Sequence, residues 1–175
     1  MRGKLIAAAA AAVLIVSVAD AAPRPINYVG RGCVYTSHMI PETAFAQTFK
    51  PTFSVLRQVR FVLFQVDPAD EDVTFVVNLR DSSGIIATSL GGMLATGTSY
   101  EDAAEGEFVT FTFERGARVT PGQSYRLELV RVSGDTDVWA CTGPDFYANG
   151  FMVVNENVQA GIDMEFSAKG SGPPR

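Results

Sequence analysis

Residues 108–132 read FVTFTFERGARVTPGQSYRLELVRV, and this stretch decides the fold class. Apolar side chains fill every second position from 109 to 113 and again from 125 to 129, with threonine, arginine or glutamate between them. That period of two, in β-branched and aromatic residues, indicates strands with one buried and one solvated face. Pro121-Gly122 is typical of a turn, because proline presets φ and glycine accepts a positive φ. We therefore expect a hairpin whose apolar face is covered by further strands, as in a β-sandwich.

The rest of the chain supplies those further strands. Alternating or continuously apolar runs occur at 45–49, 54–66, 73–80, 85–90, 137–141, 151–154 and 162–167, with a short one at 34–35. Residues 54–66 are apolar at both odd and even positions, which predicts a central strand or one covered by another segment. Residues 91–106 are rich in glycine and small side chains, so we predict a mobile surface connection there. No helical periodicity follows Ala21, and we predict an all-β fold: an antiparallel β-sandwich, jelly-roll-like, of about nine strands.

The N-terminus has the pattern of an export signal. Arg2 and Lys4 precede an apolar run at 5–18, and Ala19-Asp20-Ala21 matches an A-x-A cleavage site. A membrane anchor is the alternative, but the run is shorter than the roughly 20 residues of a spanning helix. We therefore predict a product that is secreted or periplasmic. The expected organisation is a signal peptide at 1–21, a leader at 22–41, a β-sandwich domain at 42–169 and a flexible tail at 170–175.

The charge balance excludes two classes of partner. The chain has a formal charge of −5, and removal of residues 1–21 takes away two basic residues and one acidic residue, which leaves −6. A mildly acidic domain without a basic cluster is a poor partner for nucleic acid or an anionic membrane. After residue 21 the sequence has no apolar run long enough to cross a membrane, so we expect no membrane insertion after cleavage.

Two cysteines, Cys33 and Cys141, remain after the predicted cleavage. A pair of cysteines in an exported chain predicts one disulfide. Such a bond closes a loop of about 100 residues, worth on the order of 4 to 5 kcal/mol in the loop-entropy model. Two free thiols or a metal-binding pair are the alternatives. A metal site is poorly supported, because the chain has a single histidine, His38, as a further ligand.

Three groups of residues together resemble a known family. They are AQTFKPTF with VLRQVRFVLFQV, the segment NLRDSSGIIATSL, and FVTFTFERGARVTPGQSYRLELV with VWAC, DFYANGFMVVN and GIDMEF. They resemble the secreted bacterial β-sandwich domains of the choice-of-anchor type, which are found in anchored or exported proteins and are similar to carbohydrate-binding modules. The resemblance spans residues 45–166 and implies a jelly-roll-like fold and export. Family members often end in an apolar anchor helix with a basic tail, whereas residues 171–175 here read SGPPR. The family has no uniform ligand, so the resemblance assigns no site residue.

Enzyme chemistry has few candidate residues. Ser-His-Asp or Cys-His catalysis needs an imidazole, and His38 lies in the leader. Glycoside hydrolysis needs two carboxylates at a set separation. We interpret the acidic residues as solvated strand faces and turns, and we expect no enzyme. The acids considered are Asp81, Glu107, Glu128, Asp137, Asp145 and Asp163.

Saccharide binding is the sharper hypothesis. Sugars stack their C–H faces on aromatic rings, while acids and amides bond the hydroxyls, and loops on a β scaffold often gather such residues. The alternative is that Trp139 packs beside the disulfide and the loop aromatics cap the core, as large aromatics usually do. The candidate ligand-binding residues are Trp139, Asp145, Phe146, Tyr147 and Asn149.

Calcium is a weaker possibility. Four acids supply hard oxygen ligands within one loop, but their spacing matches no EF-hand, and acidic turns are usually just solvated. They are Asp67, Asp70, Glu71 and Asp72. We expect no obligatory cofactor, and a polysaccharide or an extracellular protein as partner. The predicted function is a non-catalytic binding module for carbohydrate, and the alternative is a structural or protein-interaction domain with no small-molecule ligand. An exposed aromatic platform favours the first, and an apolar patch or open strand edge favours the second.

Overall fold

The computed structural model describes residues 24–27, 33, 35–39, 43–65, 72–94, 107–135, 137–144 and 147–172. These residues contain fourteen strands and no helix, which confirms the prediction of an all-β antiparallel sandwich. The strands are β1 (Arg24–Asn27), β2 (Tyr35–Met39), β3 (Phe45–Phe49), β4 (Val55–Gln65), β5 (Val73–Asp81), β6 (Gly84–Thr88), β7 (Gly92–Leu94), β8 (Glu107–Arg118), β9 (Tyr125–Ser133), β10 (Val138–Pro144), β11 (Met152–Val154), β12 (Asn157–Gln159), β13 (Ile162–Met164) and β14 (Phe166–Ser171).

The described strands form two seven-stranded sheets, and every pairing in both is antiparallel. In the first, sheet A, the order is β1-β14-β4-β10-β13, with β2 also on β10 and β8 also on β4. In the second, sheet B, the order is β12-β11-β3-β9-β5-β6, with β7 also on β5. Strand β4 pairs with three others, β8, β10 and β14, which confirms that the doubly apolar run at 54–66 is central.

The core lies between the inner faces of the two sheets and is dominated by phenylalanine. Phe61 from β4 contacts Phe111 and Phe166 of its neighbouring strands, with ring centroids 6.2 Å apart in both pairs. Sheet B contributes fully buried residues from β5, where positions 73, 75, 77 and 79 alternate with partly exposed ones. The period-two patterns of the sequence therefore face this interior.

The prediction of a hairpin is wrong, although its two predicted strands are present. β8 pairs with β4 in sheet A, and β9 pairs with β3 and β5 in sheet B. The turn between them is a type II turn: the Gln123 backbone N–H donates to the Thr120 carbonyl at 3.1 Å, and Gly122 has a φ of 79°. Alternation shows only that each strand has one buried face, and two strands facing each other across a core satisfy it as well as two neighbours do.

The segments beside the predicted domain also contain strands. β1 and β2 lie in the predicted leader and pair with β14 and β10, and β14 continues into the predicted flexible tail at Ser171. β7 lies in the predicted mobile connection, where Gly92 packs so tightly that an added Cβ would sit 2.8 Å from the Phe111 ring. Strands of three to five residues are too short to show a reliable period, which explains why the sequence predicts fewer strands.

Candidate functional site

Trp139 lies on the outer face of sheet A, away from the core between the sheets. Its ring stacks on the His38 imidazole of the neighbouring strand β2, with centroids 5.0 Å apart and planes 18° apart. It packs against a small second cluster centred on buried Val62, Phe64 and Cys141. The tryptophan is partly buried there. His38 also lies 3.0 Å from Asp137, measured from Nε2 to Oδ1.

The predicted disulfide joins Cys33 to Cys141, with Cα atoms 5.1 Å apart, and is confirmed. Glu165 lies beside it, with its carboxylate 3.1 Å from the Cys141 sulfur. These three residues place potential ligand atoms within 4.8 Å of one another. Because both sulfurs are in the disulfide, neither is available as a thiolate for a metal.

The other predicted ligand residues fall in different places. Tyr147 packs its ring edge-on against Phe166 of the main core at 5.5 Å, whereas Trp139 belongs to the second cluster. The Tyr147 hydroxyl accepts from the Lys50 N–H at 3.0 Å and lies 3.2 Å from the Lys50 carbonyl, and burial raises the pKa of this phenol. Asn149 is exposed in the following turn. Asp145 and Phe146 lie outside the described residues, as do Asp67, Asp70 and Glu71 of the calcium hypothesis, whose fourth acid, Asp72, is exposed.

Two of the acids that the sequence suggests are solvated are in fact buried. Asp163 is 1% exposed; it accepts from the Gln47 side-chain amide at 2.7 Å and from the Tyr147 backbone N–H at 2.8 Å. Gln47 in turn accepts from the Met164 N–H at 2.8 Å. This network joins sheet B to sheet A and fixes the start of the loop after β10. A buried carboxylate needs such donors, and the sequence gives no sign of which residues supply them.

That loop delivers Phe151 to the outer face of sheet B. Phe151 exchanges backbone contacts with Thr48 of β3: its carbonyl accepts from the Thr48 N–H at 2.9 Å, and its N–H donates to the Thr48 hydroxyl at 2.8 Å. Gly150 is required beside this contact, because an added Cβ would lie 2.0 Å from the Thr48 carbonyl oxygen. The Phe151 ring is left 38% exposed.

A cleft of about 600 Å³ opens beside Phe151 on this outer face of sheet B. Its polar residues come from β3, β5 and β9 and from the turns after β5 and β11, and Val158 of β12 adds a second exposed apolar side chain. The lining residues that carry most of its chemistry are Thr48, Arg80, Asp81, Arg126, Phe151 and Glu156. The cleft-lining side chains of β5 and β9 point outward because their sequence neighbours, such as Leu79 and Leu127, face the core.

A ladder of polar side chains crosses the sheet next to the cleft. The Thr88 hydroxyl donates to Asn78 at 2.8 Å, and the Asn78 amide donates to Glu128 at 3.2 Å. Arg80 Nη1 donates to both oxygens of Glu128, at 2.8 and 2.9 Å. Glu128 is only 8% exposed, so it is the second acid that the sequence analysis wrongly interprets as solvated. The second ion pair joins Arg126 Nη1 to both oxygens of Glu156, at 2.7 and 2.6 Å.

Glu156 reaches Arg126 from an unfavourable backbone conformation. It and Asn155 form the two-residue turn between β11 and β12, with φ of 64° and 47°. Both angles are left-handed, as in a type I′ hairpin turn, and glycine is the preferred residue at the second position. The hydrogen bond from Arg126 lowers the pKa of the Glu156 carboxyl, so it stays ionised at neutral pH. Backbone strain of this kind tends to cluster at active sites, ligand clamps and switch regions.

Sequence reasoning missed the residues of this cleft for a definable reason. Asn78 and Arg80, and Arg126 and Glu128, occupy outward positions of two predicted strands, so their outward orientation was readable from alternation. Their juxtaposition depends on the register that sets Arg80 opposite Arg126, and this is a contact over 46 positions of the sequence. Phe151 looked like an ordinary strand residue.

Neither a scan against protein-family models nor a search of curated proteins finds a match for this chain. Within the described residues, no helix is long and apolar enough to span a membrane.

Proposed function

We propose that this protein is a non-catalytic binding module that holds a saccharide in the cleft on the outer face of sheet B. The observation that carries the proposal is an exposed aromatic residue, Phe151, that lines the same open cleft as Arg80 and the Arg126–Glu156 ion pair. The site differs from the loop and Trp139 that the sequence suggests, but the chemistry is the same.

The chemistry of the cleft suits a sugar on both of its sides. Sugar rings present apolar C–H groups, which pack on aromatic and aliphatic side chains such as Phe151 and Val158. Their hydroxyl groups need both donors and acceptors, and the guanidinium and carboxylate groups of the ladder supply both at short distance. The volume of about 600 Å³ falls in the range of roughly 300–1,000 Å³ typical of small-molecule sites.

Export is part of the same proposal. The disulfide is typical of proteins from oxidising compartments. Together with the signal-like residues 1–21, it supports action outside the cytoplasm, in the manner of the bacterial choice-of-anchor domains that the sequence resembles. A saccharide ligand is common in that environment.

A protein-interaction domain is the second candidate, and a specific surface favours it. Strands β6 and β7 lie at one edge of sheet B, and the segment from 84 to 94 carries several exposed apolar side chains. They are Ile85, Ile86, Leu90 and Met93. β6 contains neither a charged residue nor a proline, which are the usual protection of an edge strand. This candidate requires a protein partner and no sugar.

The test is binding of the purified protein to a panel of soluble polysaccharides by calorimetry, with two single variants that differ only in the face they alter. Phe151→Ala removes the ring in the cleft, and Trp139→Ala removes the ring on sheet A. We expect saturable binding that falls about fivefold or more in Phe151→Ala and is unchanged in Trp139→Ala, because stacking on one ring is worth roughly 1 kcal/mol or more.

Circular dichroism of both variants checks that each remains folded. Binding that is lost in a folded Trp139→Ala and kept in Phe151→Ala would move the site to sheet A and refute the proposed cleft. Binding to no polysaccharide would favour the protein-interaction candidate.

A further inference from the structure

We infer that the cleft selects a saccharide that bears a carboxylate, a uronic acid unit, and that Arg80 and Arg126 hold this carboxylate with their unused guanidinium donors. The inference rests on the proposed function, because it names the class of sugar that the same cleft takes.

The first observation is the placement of two like charges directly opposite each other. Arg80 of β5 and Arg126 of β9 are register partners, and both line the cleft. Like charges at opposed positions of an antiparallel pair repel each other, and here the ion pairs with Glu128 and Glu156 offset that repulsion. Their side chains remain 34% and 30% exposed, so both are reachable from solvent.

The second observation concerns the hydrogen bonds that the two arginines donate. Arg80 donates through Nη1 to Glu128, and Arg126 donates through Nη1 to Glu156. Among the described residues, no protein acceptor takes a hydrogen bond from Nη2 or Nε of either arginine. A guanidinium has five N–H donors, so each arginine keeps the fork formed by Nε and Nη2.

That free fork matches a partner that presents two oxygens side by side, as a carboxylate or a phosphate does. Two parallel N–H donors match the two oxygens of a planar carboxylate, and this bidentate contact is stronger and more selective than a bond to one hydroxyl. Glu128 and Glu156 each accept hydrogen bonds from one side of the guanidinium group of their arginine. These hydrogen bonds orient the other side of the group for a ligand. A uronic acid places such a carboxylate on a sugar ring, whose C–H face is free to pack on Phe151.

The local charge limits how the ligand is held. Arg80 and Arg126 are balanced by Glu128 and Glu156, and Asp81 adds a negative charge at the rim, where its Oδ1 accepts from the Ser83 N–H and hydroxyl. A long-range positive field is therefore absent from this cleft, and the carboxylate is recognised by short, directional hydrogen bonds. This predicts selection by geometry, which a lysine cannot reproduce.

The experiment compares acidic polysaccharides with neutral forms of the same chains. Polygalacturonate and alginate are measured by calorimetry beside their carboxyl-reduced counterparts, and dextran sulfate beside dextran. We expect about tenfold or tighter binding of at least one carboxylate form over its reduced form, which is the scale of a charge-assisted bond. We expect dextran sulfate to bind no more tightly than the better carboxylate chain.

Lysine substitutions separate geometry from charge. R80K and R126K keep the positive charge and the ion pair but remove the fork, and R57K makes the same change at an exposed arginine of β4 in sheet A. We expect R80K and R126K to bind the acidic chain about tenfold more weakly and the reduced chain with unchanged affinity. We expect R57K to change neither of these two affinities.

The failures of the two proposals are distinguishable. Equal binding of acidic and reduced chains, or lysine variants that bind like the unchanged protein, would overturn the uronic acid inference while the saccharide module stands. Preference for dextran sulfate over both carboxylate chains would also overturn it. Binding of none of these chains, with the protein folded, would overturn both proposals.

Discussion

The outer faces of the two sheets are built from the same alternation, yet around β10 and around β9 they carry different side chains. On sheet A, the outward positions of β4 and β10 carry Val62, Phe64 and Cys141, which are buried. On sheet B, the outward positions of β5 and β9 carry Arg80 and Arg126 with their glutamate partners, beside an open cleft. One face is a second apolar cluster fastened by a disulfide, and the other is a charged surface that stays accessible.

The contrast separates stability from recognition. Burial of an aliphatic or aromatic side chain contributes about 1.5 to 3 kcal/mol, so the cluster on sheet A is a real part of the folding free energy. The exposed Arg126–Glu156 ion pair contributes about 0 to 1 kcal/mol, so it adds little to stability. This difference agrees with the proposal that the face with Arg80, Arg126 and Glu156 binds a ligand.

The largest expected effect comes from the apolar face. Phe64→Ala removes a ring that is 1% exposed and leaves a cavity in the second cluster. We expect a loss of about 3 to 5 kcal/mol in the free energy of unfolding, measured by denaturant titration, and unchanged ligand affinity at temperatures where the variant is folded.

Val158→Ala is the matched control on sheet B, because Val158 is an exposed apolar residue. We expect it to change the free energy of unfolding by no more than about 0.5 kcal/mol. Equal losses from both substitutions would mean that the two outer faces contribute alike to stability, and the comparison would fail.

The next largest expected effect comes from removing the disulfide. It links positions 108 residues apart, and the double substitution Cys33→Ala with Cys141→Ala releases that loop in the unfolded chain. We expect the free energy of unfolding to fall by about 2 to 4 kcal/mol, measured by thermal unfolding, because the cross-link restricts mainly the unfolded state and disulfides usually contribute less than the loop-entropy model gives. Affinity for the ligand should not change, because the cleft is on the other sheet. A loss of affinity in the folded double variant would show that the two faces are coupled.

The smallest expected effect on stability, and a clear effect on binding, comes from Glu156→Gly. Glycine adopts the left-handed conformation of this turn without the steric cost of a side chain. We therefore expect a melting temperature that is unchanged or higher, together with ligand affinity lowered roughly twofold to fivefold because Arg126 loses its orienting partner. A lower melting temperature with unchanged affinity would assign Glu156 to the fold.

The pH dependence of the same pair has a defined sign. The pKa of Glu156 is below its ordinary value of 4.5, so the pair stabilises the fold above pH 4.5 and loses that effect as the pH falls through the lowered pKa. Arg126→Met should raise the pKa of Glu156 toward the ordinary value, as followed by carboxyl-carbon NMR. An unshifted pKa in that variant would mean that another group lowers it.

The residues that sequence reasoning placed well are those whose signal is local. Strand β5 and the turn at Pro121 and Gly122 were predicted because period two and turn chemistry involve neighbours in the chain. The bond between Cys33 and Cys141 was predicted because two cysteines allow one pairing. The candidate binding residues were chosen by type alone, and the structure puts Trp139 and Tyr147 in different clusters.

The side-chain pattern of this chain was enough to specify strands, a sandwich and a disulfide, because each follows from residue types or from contacts between near neighbours. Tertiary structure alone decided that β8 and β9 belong to opposite sheets and that Arg80 faces Arg126. It also decided that a left-handed glutamate and Phe151 meet at one cleft. The physical reason is register: a strand with one apolar face fits any partner that buries that face, and the choice among partners depends on how the whole core packs.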